Sequence, residues 1–404
     1  MAFVSNALPR FKQTLSDAER AWVGEAAPQR VRPFLALWGE VTPTPLVPLP
    51  DIAAEAGVDS VLIKDEGRRL GLGSFKALGG AYAVMTLVRQ MLQQQLGREV
   101  GIAELLSPAA RAFARTVTVC CATDGNHGKS VAAGARLVGC RSVIFVHAGV
   151  TQARADSIGA DEIVRVDGTY DDSVNEAERV SRERGWLLVS DTSWPGYEEI
   201  PGLVCQGYTV LAEEVLEQSA DMGFGPPTHV FLQAGVGGFA SGVAGYLADR
   251  LGPGRCKAVI VEPERAACLY RSAGLGRLTS IPATEPTVMA MLECYTPSLI
   301  AWRILEKVAH GFMTVSEDHA KDAVRRLAFR SDGEPIVAGE SGAAGLAGFL
   351  AAAADPALRA ALVLGPDSRV LLINTETASD PASYARIVGR PPEEIAARRR
   401  FAAS

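Results

Sequence analysis

A basic excess is missing from this chain: 40 Lys plus Arg stand against 46 Asp plus Glu, a net −6 over 404 residues. Without a basic excess there is no broad phosphate-neutralising surface, so neither nucleic acid nor an anionic membrane is the expected partner. Metal-type cysteine spacing is also lacking. The seven cysteines at 120, 121, 140, 205, 256, 268 and 294 form no CxxC and no Cys/His cluster, so no metal site is expected. Long apolar runs are few. The N-terminal ten residues lack a charged start followed by an apolar core, so no secretory signal is expected there. The most apolar stretch, Ala343 to Gly365, is broken by Asp355, Pro356 and Arg359, which favours a buried helix pair over a membrane span. The expected location is cytoplasmic. Aromatic residues are only 6% of the sequence, whereas glycines number forty. Glycine costs chain entropy and is kept where backbone must turn sharply or approach something closely, so the positions of these glycines carry the next step.

Short β-branched runs recur between longer amphipathic or Ala-rich segments: Ser60–Lys64, Thr116–Cys121, Ser142–Val146, Glu162–Val166, Leu187–Ser190, His229–Gln233, Lys257–Glu262 and Val370–Asn374. Strands alternating with helices indicate an α/β fold with mainly parallel sheets. Ligands in such folds bind at the carboxyl ends of the strands, and these strands end in Gly-, Asn- or acid-bearing turns. Between Tyr82 and Asp191 lie three strand-helix units, consistent with a smaller α/β domain inserted in a larger parallel-sheet one. The expected division is 1–84 with 195–404 for the large domain and 85–194 for the small.

After the strand at Val61–Asp65 comes Gly71-Leu-Gly-Ser-Phe-Lys76-Ala-Leu-Gly-Gly80, running into a helical stretch from Ala81 to Leu96. Lys76 falls at the first turn of a helix, where the dipole disfavours a free ammonium. Either the side chain is simply solvated, or its amine is consumed as an imine to a carbonyl cofactor, with Phe75 and small neighbours keeping it dry. The segment Gly73-Ser-Phe-Lys76 resembles the lysine motif of fold type II pyridoxal phosphate enzymes, the tryptophan synthase β and threonine deaminase superfamily. Pro43-Thr-Pro-Leu46, Asp124-Gly-Asn-His-Gly128 and Gly235-Val-Gly-Gly238 follow that family's order. The resemblance implies pyridoxal 5'-phosphate on Lys76, a large parallel-sheet domain with a smaller one inserted, a small amino-acid substrate and a homodimer.

Within that resemblance, Asn126 faces the cofactor's phenolic oxygen, and Thr123 with the loop amides holds the substrate carboxylate at a helix N-terminus. Asp124 stands where many members have a neutral hydroxyl residue; it is either a helix N-cap or an acid with a task of its own. Asp191 opens Asp191-Thr-Ser-Trp-Pro-Gly-Tyr-Glu-Glu-Ile-Pro201 and is either a turn residue bonding its own backbone or part of a recognition loop. Together the two stretches are similar to the diaminopropionate ammonia-lyase branch, from Pro43 to about Thr377. That likeness implies α,β-elimination of 2,3-diaminopropionate to pyruvate and two ammonia, with Lys76, Asp124 and Asp191 catalytic and Thr123, Asp124 and Asp191 on the substrate. Two carboxylates suit a cationic β-substituent. Serine or threonine deamination, or a β-lyase acting on another 3-substituted alanine, remains the alternative within the class. A catalytically silent ligand-binding protein is another.

His229–Gln233 followed by Ala-Gly235-Val236-Gly237-Gly238 is a strand, a glycine turn and a helix start, the geometry by which backbone amides cradle a phosphate. It equally fits a dinucleotide fingerprint with Glu262 as the ribose acid, the pattern of an NAD-dependent dehydrogenase. That reading leaves Lys76, Asn126 and both aspartates without roles. Near the C-terminus, Asn374 and Thr375 are the resemblance's candidates for a neutral partner to the pyridine nitrogen; a strand-end cap is the other reading. Met291, Glu293 and Tyr295 stand where that branch usually has small residues, so bulk and charge at the mouth could alter which β-substituent fits. Cys268 and Cys294 flank the same region, and a disulfide between them is one open possibility.

Overall fold

The computed structural model describes residues 1–397. These form eleven strands: β1 (Phe3–Ser5), β2 (Leu46–Pro48), β3 (Ser60–Asp65), β4 (Thr118–Ala122), β5 (Arg141–His147), β6 (Glu162–Val166), β7 (Leu187–Leu188), β8 (His229–Gln233), β9 (Lys257–Pro263), β10 (Ala309–Val315) and β11 (Arg369–Asn374). The chain is α/β, and its described residues divide into two compact units, one of Met1–Glu25, Pro43–Arg68 and 211–397, the other of Ala26–Thr42 and Arg69–Val210.

The first unit holds a seven-stranded sheet in the order β1-β10-β9-β8-β11-β3-β2. Its five inner strands run parallel, and the short edge strands β1 and β2 pair antiparallel. Every residue of β3 and β8 is buried, as expected of parallel strands covered on both faces. The Ala343–Gly365 stretch forms two helices, Ala344–Ala354 and Pro356–Leu362, bent by 106° at the intervening aspartate. Asp355 ends the first helix and caps the second, its carboxylate accepting from the N–H groups of Ala357 and Leu358. Phe349 and Ala347 on the first helix join Phe231, Val259, Val261 and Leu372 in the main core. Among the described residues no single helix is long and apolar enough to cross a membrane.

The second unit holds a parallel four-stranded sheet, β6-β5-β4-β7. The expected insertion 85–194 lies inside it, but the unit also takes in 26–42, 69–84 and 195–210. Helix packing accounts for 69–84. Helix Gly80–Leu96 lies along helix Asn126–Val138 so closely that a Cβ on Gly134 would come within 2.7 Å of Ala81 Cα. Glycine at that crossing lets the two backbones meet, so the turn preceding Gly80 stays with the small sheet. Lys76 therefore belongs to the second unit and not to the large domain in which the sequence pattern placed it.

Candidate active site

Lys76 sits in a 3-10 turn, Phe75–Leu78, just ahead of helix Gly80–Leu96. The sequence pattern anticipates an amine kept dry by apolar neighbours. The structure supplies an acid instead: Lys76 Nζ makes an ion pair with the Asp191 carboxylate, with its charge 5.6 Å from the Phe75 ring centroid. Phe75 is itself fixed edge-on against Tyr208, ring centroids 4.8 Å apart. The amine is thus presented from one side by an aromatic platform and on the other by a carboxylate.

Asp191 is buried just beyond β7. Its Oδ2 meets Lys76 and lies 4.0 Å from His127 Nδ1, and its Oδ1 accepts from the Tyr170 hydroxyl at 3.4 Å. Burial alone would raise the Asp191 carboxyl, but the charge and hydrogen bond of Lys76 prevail and hold it well below the usual carboxylate range. Burial pushes the His127 imidazole in the neutral direction, aided by the Lys76 charge. With His127 neutral, Lys76 is the cation that keeps Asp191 ionised. The His127 Nε2 lies 2.7 Å from the Val189 carbonyl, which fixes the proton on that nitrogen and leaves Nδ1 as an acceptor facing the pair. Asp191 also accepts a hydrogen bond from its own backbone N–H, so it keeps the bond of a turn residue while it faces Lys76.

The loop after β4 carries Thr123, Asp124 and Asn126. Thr123 is buried, and its hydroxyl oxygen accepts from the N–H groups of Gly125 (3.0 Å) and Gly128 (3.1 Å), so it shapes the loop. Asn126 is the first residue of helix Asn126–Val138 and is buried. The N-cap of that helix is Gly125, with no side-chain cap, so Asp124 is not spent on capping. Its Oδ1 lies 2.9 Å from His147 Nε2 at the end of β5. His127, His147 and Tyr170 carried no role in the sequence pattern; His147 was within reach of it, standing directly after the expected strand Ser142–Val146.

In the first unit, β8 leads into Gly235-Val236-Gly237-Gly238 and helix Gly238–Leu251. Gly237 is the N-cap with φ +97°, and a Cβ there would meet Ala301 Cβ at 3.0 Å, so only glycine permits this turn. The first N–H groups of such a helix have no intrahelical partner and point at an anion. Glu262, the acid a dinucleotide site would need, is fully buried and committed: its two carboxylate oxygens accept from Leu269 N–H (2.8 Å) and Tyr270 N–H (2.6 Å). With both oxygens turned to these backbone N–H groups and no exposed surface, Glu262 presents nothing to a ribose, which removes the observation that favoured the nucleotide reading. Burial pushes the Glu262 carboxyl up to about 8, against the opposing pull of those two N–H groups. Between the ordinary carboxyl range and that value the folded chain binds a proton the unfolded chain does not, so stability falls as pH rises through the window. Glu262→Gln is expected to flatten the pH dependence of the denaturation midpoint between about pH 5 and 8; an unchanged slope would remove Glu262 as its source.

Asn374 ends β11 fully buried. Its Nδ2 donates to Asp65 Oδ1 (2.8 Å) and to the Val337 carbonyl (3.3 Å), so both amide protons are used. Thr375 Oγ1 accepts from Gln233 Nε2 at 3.0 Å and keeps its own proton to give. Of the two residues left open by the sequence, the hydroxyl is the available donor. Cys268 and Cys294 are free, buried thiols, so no disulfide joins them. Glu293 and Tyr295 are turned into their own loop: Tyr295 donates its hydroxyl proton to Glu293 Oε1 (2.9 Å), and Glu293 Oε2 accepts from Thr287 N–H (3.0 Å). Met291 N–H donates to Ser341 Oγ (3.2 Å).

The family model described as "Pyridoxal-phosphate dependent enzyme" matches residues 37–376. The chain is 40% identical over 361 residues to diaminopropionate ammonia-lyase of Escherichia coli strain K12, covering 88% of this chain and 89% of the relative. It is 37% identical to the diaminopropionate ammonia-lyase of Salmonella typhimurium strain LT2, over 85% and 87% of the two chains. The chain belongs to the pyridoxal-phosphate-dependent enzyme family, in its diaminopropionate ammonia-lyase branch. A crystal structure of the E. coli ammonia-lyase in complex with D-serine superposes with a TM-score of 0.84 at 35% identity, covering 96% of each chain. Each unit taken by itself carries groups that suit the family's cofactor: the second a primary amine suited to a carbonyl, the first a glycine-capped helix N-terminus suited to a phosphate and a hydroxyl donor suited to a ring nitrogen.

Proposed function

We propose that this chain is a pyridoxal 5'-phosphate-dependent ammonia-lyase that converts 2,3-diaminopropionate and water to pyruvate and two ammonia by α,β-elimination. One observation carries the reading: a buried carboxylate, Asp191, already receives a primary ammonium, that of Lys76. A substrate whose β-substituent is an ammonium offers the same chemistry to the same oxygen. The identity to the two bacterial diaminopropionate ammonia-lyases supports the choice of substrate.

Pyridoxal phosphate, when bound, supplies the electron sink that makes a Cα–H bond acidic. Lys76 anchors it and serves one face of Cα. Asp124 takes the proton from the opposite face, that of a D-configured substrate, and Asp191 holds the β-nitrogen protonated so that it leaves as ammonia. Thr123 keeps the loop amides in place for the substrate carboxylate, and Asn126 faces the cofactor's phenolic oxygen. Gly235, Val236, Gly237 and Gly238 cradle its phosphate. Thr375 donates its hydroxyl proton toward the ring nitrogen, while Asn374 is fixed to Asp65 and stiffens the strand end beside it. A donor that is neutral leaves the nitrogen unprotonated, which limits charge delocalisation and favours elimination over transamination. A homodimer in the cytoplasm completes the reading.

Ammonia and pyruvate release measured in parallel on D- and L-diaminopropionate, serine and threonine tests it. Diaminopropionate is expected to exceed both hydroxy amino acids in kcat/KM by about tenfold or more. Faster turnover of serine or threonine would make the chain a hydroxy amino-acid deaminase.

A further inference from the structure

The second unit brings Asp124 and His147 together by strand register. In the β4/β5 ladder Ala122 is paired with Phe145, and Thr123 N–H still donates to the Phe145 carbonyl. Two residues further on, Asp124 in the loop after β4 and His147 at the end of β5 reach the same level of the carboxyl edge, with His147 Nε2 2.9 Å from Asp124 Oδ1. Open α/β sheets gather functional side chains at the carboxyl ends of adjacent parallel strands in this way, and here the Thr123 hydroxyl holds the loop that carries Asp124.

The tautomer of His147 is set from the other side of the ring. Gly149 N–H donates to His147 Nδ1 at 3.1 Å, so Nδ1 is an acceptor and the ring proton resides on Nε2, the nitrogen facing Asp124. The Cε1/Nδ1 edge of the imidazole packs against Gly149: a Cβ there would come within 2.7 Å of His147 Cε1 and 3.0 Å of Nδ1. Any larger residue at 149 displaces the ring and with it the N–H that faces the carboxylate.

Asp124 Oδ1 is buried, and in the present ring orientation the N–H is at contact distance but out of line, so this oxygen makes no hydrogen bond. Alignments of this kind tighten when substrate closes the site. Asp171, at the start of helix Tyr170–Arg184, adds a second carboxyl; burial and then the charges of Asp172 and Asp124 push it up. An N–H donor brought into line on Asp124 Oδ1 would offset that like-charge crowding. The His147 side chain is 25% exposed against 14% for Asp124, so the imidazole is the more solvent-accessible of the two.

We infer that His147 is the positioning residue of Asp124: its Nε2–H holds Oδ1 and leaves Oδ2 to take the Cα proton of a D-configured substrate. The inference rests on the reading of Asp124 as the base for that enantiomer. Because Lys76 serves the opposite face, a residue acting through Asp124 affects the two enantiomers unequally, whereas a fault in folding or cofactor binding affects them together.

The test is the ratio of kcat/KM on D- to L-diaminopropionate for the cofactor-loaded wild type, His147→Leu, His147→Gln and Asp124→Asn, with cofactor absorbance recorded for each. His147→Leu is expected to lower the D-to-L ratio by about tenfold or more. His147→Gln, which keeps an N–H donor, is expected to stay within about threefold of wild type. Equal losses on both enantiomers in His147→Leu, or an unchanged ratio while Asp124→Asn collapses it, would overturn the inference and leave Asp124 as the base. An unchanged ratio in Asp124→Asn would overturn the reading of Asp124 itself, and the role of His147 with it.

Discussion

Lys76→Ala is expected to abolish covalent retention of pyridoxal phosphate and to lower kcat/KM on diaminopropionate by about 10⁴-fold or more, as removing a covalent catalytic group does in other enzymes. Borohydride reduction of the loaded protein, followed by mapping of the modified peptide, is the direct measurement: wild type carries the label on Lys76 and the variant carries none. A chromophore still covalently fixed in the variant would move the anchor to another residue. The geometry adds a second expectation. Lys76 is the cation that keeps Asp191 ionised in a buried setting, so its loss leaves an uncompensated carboxylate and destabilises the fold by about 3 to 5 kcal/mol. The double variant Lys76→Ala with Asp191→Asn is expected to recover most of that stability and none of the activity. Separating the two readouts shows that the lysine acts both as anchor and as counter-charge.

Buried β-branched runs made much of the sheet legible from sequence. Val230, Phe231 and Leu232 in β8, Val259, Ile260 and Val261 in β9, and Leu371, Leu372 and Ile373 in β11 are apolar on both faces, the pattern of a covered parallel strand. β10 escaped because His310 and Gly311 interrupt its run, and β1 and β2 because three residues carry too little pattern. The motif residues Lys76, Thr123, Asn126 and the Gly235–Gly238 turn stand on the strand and helix ends that the alternation implied. What was not legible depends on distances that no local spacing encodes. The contact of Gly134 with Ala81 sets which unit Lys76 joins, and nothing in either segment announces it. The choice of Thr375 over Asn374 follows from where Asn374 spends its two protons, a fact of the β11/β3 register that places Asn374 opposite Asp65. His147 follows from register too, since the offset of Asp124 from Ala122 equals that of His147 from Phe145.

Lys64→Met is expected to lower the unfolding free energy by about 3 to 5 kcal/mol, the cost of breaking a buried pair by removing one partner. Lys64 is in the interior of β3 with no solvent exposure. Its Nζ donates to the Thr44 carbonyl, to Gln218 Oε1 and to Glu214 Oε2, each at 2.7 Å, so three ammonium protons meet three acceptors. Methionine matches the stem in length and keeps its packing, which confines the change to the charge and its hydrogen bonds. Glu214, whose side chain is only 3% exposed, is then left as a buried carboxylate without that cation. Replacing both members, Lys64→Met with Glu214→Leu, is expected to restore most of the loss, because an apolar pair of similar volume carries no desolvation penalty. Denaturant midpoints at constant m-value provide the measurement. A single variant within about 1 kcal/mol of wild type would mean that the ion pair is solvated in solution. The consequence reaches the site through the ladder: Lys64 pairs with Ile373 and Asp65 with Asn374, so the network that fixes β3 also fixes the strand end carrying Thr375. A partly loosened β3 is therefore expected to weaken cofactor retention before the fold is lost, whereas the double variant, with β3 repacked, is expected to hold cofactor as wild type does.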